Sequence, residues 1–303
     1  MRWDDFRRSD NIEDDRDGSG SSSGGFGIPV GRGGLGIGTV VVLSLIGWAF
    51  GIDPSILIGG AEMMSGGSQY EQPYQEPAHR TGTPTDSTGQ FIAAVLGNTE
   101  DVWSEIFRAN GREYSAAPLR LYRGGEQGGC GFASVTMGPF YCPRDKRIYL
   151  DTSFFRDMQV RFHGCSGKAC EFAEAYVIAH EVGHHVQDLL GILPKAQNAQ
   201  QAAGSKAAAN RIQVLVELQA DCLAGVWANH SEQRWKFIEP GDVEAALQTA
   251  SAIGDDRLQK QAQGYVVPDA FTHGTSEQRQ RWFTKGLKEG NISSCDTFAA
   301  ASL

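Results

Sequence analysis

The chain has 303 residues, of which 41% are hydrophobic and 21% are charged, a composition typical of a globular protein. That balance excludes a wholly disordered chain, a collagen-like chain and a multi-span membrane protein. With 27 basic against 36 acidic residues the formal net charge is −9, which argues against nucleic acid as a partner.

The N-terminal third is predicted to be a tail, a membrane span and a tether. Residues 1–32 are polar, densely charged and partly Gly/Ser-rich, which predicts a disordered tail. Residues 33–52 carry no charge, and a helix of that length, at about 1.5 Å per residue, just crosses a hydrocarbon core of about 30 Å. Residues 53–89 are rich in Gly, Pro, Ser, Thr and Gln, as in a flexible tether. The folded domain is therefore predicted over 90–303.

Two other interpretations of residues 33–52 are a buried core helix and a signal peptide. A core helix would need amphipathic neighbours, whereas the flanks here are of low complexity. A signal peptide would begin near the N-terminus and end in a small-residue cleavage site, and neither feature is found. An uncleaved transmembrane helix is favoured, with Trp48 placed as an interfacial aromatic, so we expect the lipid bilayer to be a partner.

The distribution of Lys and Arg predicts the orientation of this span. Several Arg residues precede it, and the first basic residue after it is Arg80. The positive-inside rule then places the N-terminus in the cytoplasm and the folded domain outside it, in the periplasm or at the cell surface.

All the cysteines fall within the predicted folded domain: Cys130, Cys142, Cys165, Cys170, Cys222 and Cys295. An even number outside the cytoplasm suggests disulfides, although six cysteines allow fifteen pairings. Short loops favour Cys130–Cys142 and Cys165–Cys170, which leaves Cys222 and Cys295. A cysteine zinc site is disfavoured because no C-x-x-C occurs, and free buried thiols are the alternative if the orientation is wrong.

Hydrophobic periodicity predicts a mostly helical α+β domain with a small sheet placed before the central helices. Short strands are predicted at Leu119–Tyr122, Gly138–Tyr141 and Arg147–Leu150. Helices are predicted over Thr99–Asn110, Cys170–Leu190, Ala199–Asn229, Glu244–Ile253 and Gln278–Glu289, with Gly204 as a candidate interruption of the third.

The helix predicted from Cys170 carries the pattern H-E-x-x-H at residues 180–184. Positions i and i+4 lie on one face, so His180 and His184 can offer imidazole nitrogens to one zinc ion. Glu181 is then placed to take a proton from the water that the metal activates. The alternative is a surface helix that carries these residues by chance. The helix is apolar nearly all round, however, so its histidines and acid are predicted to be buried and to need a partner.

Two further residues of this helix have predicted roles. Gly183 costs about 1 kcal/mol of helix propensity relative to Ala, which indicates that another group approaches the backbone closely. His185 lies about 100° from His184 around the helix and is predicted not to bind the metal.

The third ligand is predicted on the next helix. A catalytic zinc site takes three protein ligands and leaves a fourth position open. Glu217 and Asp221 are four residues apart and share a face within an apolar stretch, where acids need compensation by a metal or a histidine. We predict Glu217 as a zinc ligand and Asp221 as an acceptor from a histidine ring N–H. An exposed polar stripe is the alternative.

HEVGH followed by ELQAD resembles the gluzincin peptidases, in which H-E-x-x-H is completed by E-x-x-x-D. Over nearly its whole length the chain resembles the putative neutral zinc metallopeptidase family. The motifs that carry this resemblance are MRWDDFRRSDNIEDDR, the apolar segment, CGFAS, GPFYCP, YVIAHEVGHHVQ, ELQADCLAGVW and FTHGTSEQRQRWF. The resemblance implies a zincin-like fold, Zn²⁺ and a peptide or protein substrate. By motif match it implies His180, His184 and Glu217 as zinc ligands, Glu181 as the base and Asp221 as the carboxylate behind a ligand.

Peptide hydrolysis also calls for a donor to the oxyanion besides the metal. His273, which precedes the capping-box sequence TSEQ, is the predicted donor, and a surface-loop histidine is the alternative. Tyr176 and Tyr149 are weaker candidates. A substrate peptide is expected to pair with an edge strand, for which Arg147–Leu150 is the candidate.

Two functions are compatible with these patterns. The favoured one is a membrane-anchored extracytoplasmic zinc metalloendopeptidase with Glu181 as general base. The other is a noncatalytic, zinc-stabilised binding or scaffold protein of the cell envelope, in which the cleft would be blocked.

Overall fold

The computed structural model describes residues 1–16, 80–134, 138–160 and 165–300. Its strands are β1 (Ile12–Asp14), β2 (Arg80–Thr81), β3 (Leu119–Tyr122), β4 (Gly125–Gly128), β5 (Gly131–Ser134), β6 (Phe140–Cys142) and β7 (Arg147–Asp151). Its α-helices are α1 (Ser87–Ala109), α2 (Ser153–Val160), α3 (Cys170–Leu189), α4 (Ile192–Gln201), α5 (Lys206–Trp235), α6 (Asp242–Ala252), α7 (Asp255–Gln263) and α8 (Ser276–Glu289). Short 3-10 helices span Gly167–Ala169, Pro268–Ala270 and Ile292–Cys295.

Five strands form one mixed sheet in the order β2-β1-β3-β7-β6. β1, β3 and β7 are parallel neighbours, and the edge strands β2 and β6 run antiparallel to β1 and β7. All residues of β3 are buried, as expected for a central parallel strand covered on both faces. β4 and β5 form a separate antiparallel ribbon, which the Cys130–Cys142 disulfide connects to β6.

The order of the strands corrects the predicted substrate-binding edge. Arg147–Leu150 lies in β7, which is hydrogen-bonded to β3 on one side and to β6 on the other. Its backbone groups are already paired, so that prediction is wrong, and β6 is the edge strand on this side of the sheet. Residue patterns along a strand indicate which face is buried, but they do not identify the neighbouring strands.

The first residues of the chain are folded, which corrects the prediction of a disordered tail over 1–32 for residues 1–16. Ile12 is 1% exposed and pairs with Leu119 in the sheet. Phe6 is also buried, and its ring packs against Phe237. This segment is therefore part of the same core as the domain predicted over 90–303.

The charges that predicted disorder find partners in the fold. Arg7 donates to the carboxylates of Glu100 and Asp101, and Arg16 donates to Asp86. From composition alone such charged side chains are predicted to be solvated, because their ion-pair partners lie far away in the sequence.

The sheet also corrects the predicted membrane topology. A single span over 33–52 would place residues 1–32 and 90–303 on opposite sides of a bilayer. The structure instead pairs Ile12–Asp14 with Leu119–Tyr122, so both parts lie on the same side of any membrane. The prediction of an extracytoplasmic domain held by a single-pass anchor is therefore wrong. Residues 33–52 themselves lie outside the described residues, and every helix within the described ranges is too short or too polar to cross a bilayer.

The mostly helical domain with a small sheet is as predicted, with differences in the helix bounds. α1 begins earlier than predicted because Asp86 caps it by accepting from the amide of Gly89. The helix predicted over Ala199–Asn229 is divided near Gly204 into α4 and α5. α2 and α7 have no counterpart among the predicted helices.

Three disulfides join the cysteines as Cys130–Cys142, Cys165–Cys170 and Cys222–Cys295. The pairing favoured by loop length is confirmed. The last of the three links α5 to the 3-10 helix that ends at Cys295.

Close contacts between α3, α5 and α8 position the candidate site. A Cβ on Gly183 of α3 would lie 3.0 Å from the carbonyl oxygen of Ala220 on α5. A Cβ on Gly286 of α8 would overlap the carbonyl group of Cys222 on α5. Glycine is required at Gly286, whereas at Gly183 a Cβ would be a tight contact, so α5 is the group whose proximity Gly183 indicated.

Candidate metal centre

Two histidines of α3 and one glutamate of α5 converge on a single point. His180 and His184 lie one turn apart on α3. The Nε2 atoms of His180 and His184 lie 3.2 Å and 3.4 Å from Oε2 of Glu217. One ligand atom from each of the three residues lies within 4.8 Å of the other two. The structure thus brings together the three residues predicted as zinc ligands.

The donor set matches the chemistry of a catalytic zinc site. Two imidazoles and one carboxylate are a known ligand set for such sites, and they leave a further coordination position for a substrate. All three side chains are mostly buried. Burying their polar atoms without a binding partner would destabilise the folded protein. His180, His184 and Glu217 therefore fit a zinc ion.

Hydrogen bonds fix the orientation of both imidazole rings. His180 Nδ1 lies 2.9 Å from Oδ1 of Asp221, and His184 Nδ1 lies 2.8 Å from Oε1 of Gln187. A carboxylate and an amide oxygen only accept, so each Nδ1 carries a proton and each Nε2 faces the metal position. The structure places Asp221 behind His180, where the sequence predicted it to be.

Charges around the centre control its protonation. Burial alone would raise the pKa of Asp221, but the positive charges of Arg279 and His180 outweigh burial and lower that pKa to about 2. Burial likewise opposes ionisation of Glu217, yet His184 and His180 hold its pKa well below the ordinary value. Burial lowers the pKa of His180, but Asp221 and Glu217 outweigh this effect and raise it to about 10, so zinc would bind with release of the proton on Nε2. Both carboxylates are therefore ionised at neutral pH.

The three candidate ligand residues lie in the wall of a cleft of about 620 Å³. Glu181, the predicted base, also lines this cleft and is 6% exposed. Other parts of the wall come from β6, α2 and α4, and from Ile253, which follows α6. Residues of the GPFYCP motif, from Gly138 to Pro143, supply the β6 side.

His273 lines the same cleft from the turn before α8. Asp255 at the start of α7 accepts the backbone amides of Thr272, His273 and Gly274, and its Oδ1 lies 3.2 Å from His273 Nδ1. The side chain of His273 is 49% exposed, and its partial desolvation lowers its pKa, but the hydrogen bond to Asp255 and the charge of Glu217 raise that pKa overall. Asp255 thus leaves Nε2 of His273 available to the cleft.

The other residues named from the sequence have different contacts. Tyr176 donates to Oδ1 of Asp221 at 2.6 Å. Tyr149 donates to Asp145 and stacks on Phe140. His185 contacts the hydroxyl of Tyr141 through Nδ1 and a backbone carbonyl through Nε2.

Three residues of the site are missing from the sequence prediction. Gln187 accepts from His184 and donates to the carbonyl of Val216, and Gln213 donates to Oε1 of Glu217. Their helical spacing, i+3 from His184 and i−4 from Glu217, is a signal that could have identified them. Arg279 on α8 donates to Asp221 and has no such local signal, because its helix is distant in sequence.

Comparisons with known proteins agree with this geometry. The sequence model of the family described as "Putative neutral zinc metallopeptidase" matches residues 1–298. The uncharacterized protein YpfJ of Escherichia coli (strain K12) is 46% identical over 302 residues, which is 98% of this chain and 99% of the relative. The uncharacterized protein Mb2605 of Mycobacterium bovis is 44% identical over 235 residues, 74% of this chain and 75% of the relative. No solved structure matches the chain.

Proposed function

Since the chain belongs to the putative neutral zinc metallopeptidase family, we propose that it is a zinc-dependent endopeptidase with Glu181 as general base. The observation that carries the proposal is the convergence of His180, His184 and Glu217 in the wall of an open cleft. An open cleft also counts against the alternative of a noncatalytic scaffold, which would need it blocked.

The metal supplies one part of the chemistry and the side chains supply the rest. When bound by these ligands, zinc acts as a Lewis acid that polarises a carbonyl and lowers the pKa of water. Glu181 follows His180 in the chain and shares the cleft, so it is placed to take the proton of the attacking water. The same carboxyl group then passes that proton to the leaving amine.

His273 is the proposed donor to the oxyanion. Its Nδ1–H donates to Asp255, so in the protonated, imidazolium form of His273 the second proton is on Nε2 and can be donated into the cleft. A donor already held in place needs little reorganisation when charge develops on the substrate oxygen.

The substrate is a peptide in extended form. Within the described residues β6 is an edge strand, and it lines the cleft, where an edge strand is a template for strand addition. A chain bound in this way continues past the cleft in both directions, which is the reason for proposing cleavage at internal bonds.

The experiment compares Glu181→Gln with the wild-type full-length chain on an unstructured protein substrate. We expect Glu181→Gln to bind zinc like the wild type and to lose turnover by roughly 10²- to 10⁴-fold, the usual contribution of a general base. A chelator should abolish wild-type cleavage and added zinc should restore it. Glu174→Gln is the matched control, since Glu174 lies on the same helix and contacts Gln159. Wild-type turnover in Glu181→Gln would refute the assignment of the base.

A further inference from the structure

We propose that Arg279 is a positioning residue of the metal centre, whose guanidinium orients Asp221 and through Asp221 the imidazole of His180. This inference rests on the proposed function, because it assumes that His180 binds zinc. Arg279 lies on α8, a helix that provides none of the three predicted ligands.

The guanidinium of Arg279 donates two parallel hydrogen bonds to the carboxylate of Asp221. Nε of Arg279 lies 2.9 Å from Oδ2 of Asp221, and Nη2 lies 2.9 Å from Oδ1. Two bonds from one planar group fix the plane of the carboxylate, whereas a single bond would let it rotate. Arg279 is 2% exposed and Asp221 is fully buried, so water does not compete for these bonds.

The oxygen that Arg279 fixes is the one that holds His180. Oδ1 of Asp221 accepts from Nδ1 of His180 at 2.9 Å and from the hydroxyl of Tyr176 at 2.6 Å. Nη2 of Arg279 also donates to the Tyr176 hydroxyl oxygen at 3.2 Å. Arg279, Tyr176 and His180 therefore meet at one carboxylate oxygen, and a rotation of that carboxylate would move the ring of His180.

The framework that carries Arg279 is rigid. α8 contacts α5 so closely that a side chain on Gly286 would overlap the backbone at Cys222, and Gly225 meets the backbone of α8 in the same way. Asp221 lies on α5 about one turn before Gly225. The position of Arg279 relative to Asp221 is thus set by the packing of α8 on α5.

A lysine cannot replace this arrangement. Its ammonium carries the same charge, but it is a single point donor without the planar fork of arginine. Arg279→Lys therefore keeps a positive charge beside the carboxylate of Asp221 but removes the two hydrogen bonds that orient it.

The test measures zinc affinity by competition with a chromophoric chelator, using full-length protein. The wild type should bind zinc, and Arg279→Lys should weaken binding by about 10- to 100-fold, as expected when support of a ligand is lost. Arg281→Lys is the matched control, because Arg281 lies on the same helix and is exposed. Substitution with Co²⁺ should give an altered visible spectrum in Arg279→Lys, which reports on ligand geometry independently of activity.

The double variant Arg279→Lys/Asp221→Asn tests whether Arg279 acts through Asp221. The proposal requires that its zinc affinity be no weaker than that of Asp221→Asn alone, and additive losses would overturn it. A folded Arg279→Lys protein with wild-type affinity and an unchanged Co²⁺ spectrum would also overturn it.

If thermal melts show that Arg279→Lys does not fold, the variant Tyr176→Phe tests whether Arg279 or the Tyr176 hydroxyl positions Asp221. Zinc affinity in Tyr176→Phe should fall less than in Asp221→Asn, since the guanidinium still holds the carboxylate. An equal fall would show that the hydroxyl positions Asp221 and would overturn the proposal. A wild-type chain that binds no zinc would instead refute the proposed function itself.

Discussion

Asp255 holds His273 at two points, accepting its backbone amide on Oδ2 and facing its Nδ1 at 3.2 Å with Oδ1. The carboxylate thus sets both the course of the chain before α8 and the direction of the imidazole. Because His273 lines the cleft, this pair determines how the proposed oxyanion donor meets a substrate.

The Asp255–His273 pair predicts the alkaline limb of the pH–rate profile. Partial desolvation lowers the pKa of His273, but Asp255 and Glu217 raise it overall, so the imidazolium keeps its donating proton to a higher pH. Activity should fall as pH rises through that raised pKa. Asp255→Asn removes the charge, so the limb in kcat/KM should move to lower pH. Asp256→Asn is the control, because that carboxylate contacts Ser276 instead; an identical limb in Asp255→Asn would show that His273 is not the titrating donor.

Gly183 and Gly286 predict two different responses to alanine. In Gly183→Ala a gain of about 1 kcal/mol in helix propensity opposes an overpacking cost of about 1–3 kcal/mol against Ala220. We expect unfolding in urea to show a net loss of roughly 1 kcal/mol. Gly286→Ala places its Cβ on the backbone at Cys222, which cannot rotate away, so the loss should exceed about 3 kcal/mol.

Gly204→Ala is the control for both glycine variants, since no atom lies within 4 Å of a Cβ built there. It should change the free energy of unfolding by less than about 1 kcal/mol. Equal losses in Gly183→Ala and Gly286→Ala would contradict the difference in packing.

The N-terminal strand predicts that a single charge near the start of the chain destabilises the whole domain. Ile12 is 1% exposed and lies between β2 and β3, so Ile12→Asp would bury a carboxylate without a partner. The expected loss is about 3–5 kcal/mol in the free energy of unfolding, measured by circular dichroism in urea. Asp5→Asn, at an exposed position of the same segment, should stay within about 0.5 kcal/mol of the wild type. Near-wild-type stability of Ile12→Asp would show that residues 1–16 do not contribute to the core.

The disulfides predict losses that follow the length of the loop they close. Cys222 and Cys295 are 73 residues apart, and loop-closure entropy gives about 4 kcal/mol for that bond. Cys165 and Cys170 are 5 residues apart, and the same relation gives about 2 kcal/mol. Double alanine variants of each pair, compared by urea unfolding, should keep this order. The opposite order would mean that packing, and not chain entropy, dominates.

Helical periodicity was sufficient to predict the two helices that carry the metal centre. The i, i+4 spacing places His180 over His184 and Glu217 over Asp221, and both pairs depend only on local geometry. Which side of α5 faces α3 was also indicated, because the acids lie within an apolar stretch that must be buried.

Contacts between distant segments could not be predicted in this way. Arg279 meets Asp221 only because α8 crosses α5 at two glycines, and nothing in the surroundings of Arg279 indicates that crossing. The order of the strands and the place of Ile12–Asp14 beside Leu119–Tyr122 likewise depend on pairing across long separations. The densely charged residues 1–16 then resemble a solvated tail until their partners are known.

The pairing of Ile12 with Leu119 also has a consequence for biosynthesis. During translation β1 leaves the ribosome long before its parallel neighbour β3 has been synthesised. β1 therefore cannot form its hydrogen bonds to β3 until later. The sheet has a high contact order at this point, and closing so long a loop slows folding relative to local helix formation. We therefore expect the helices around the metal centre to form first and the strand that begins the chain to be among the last parts to reach its native place.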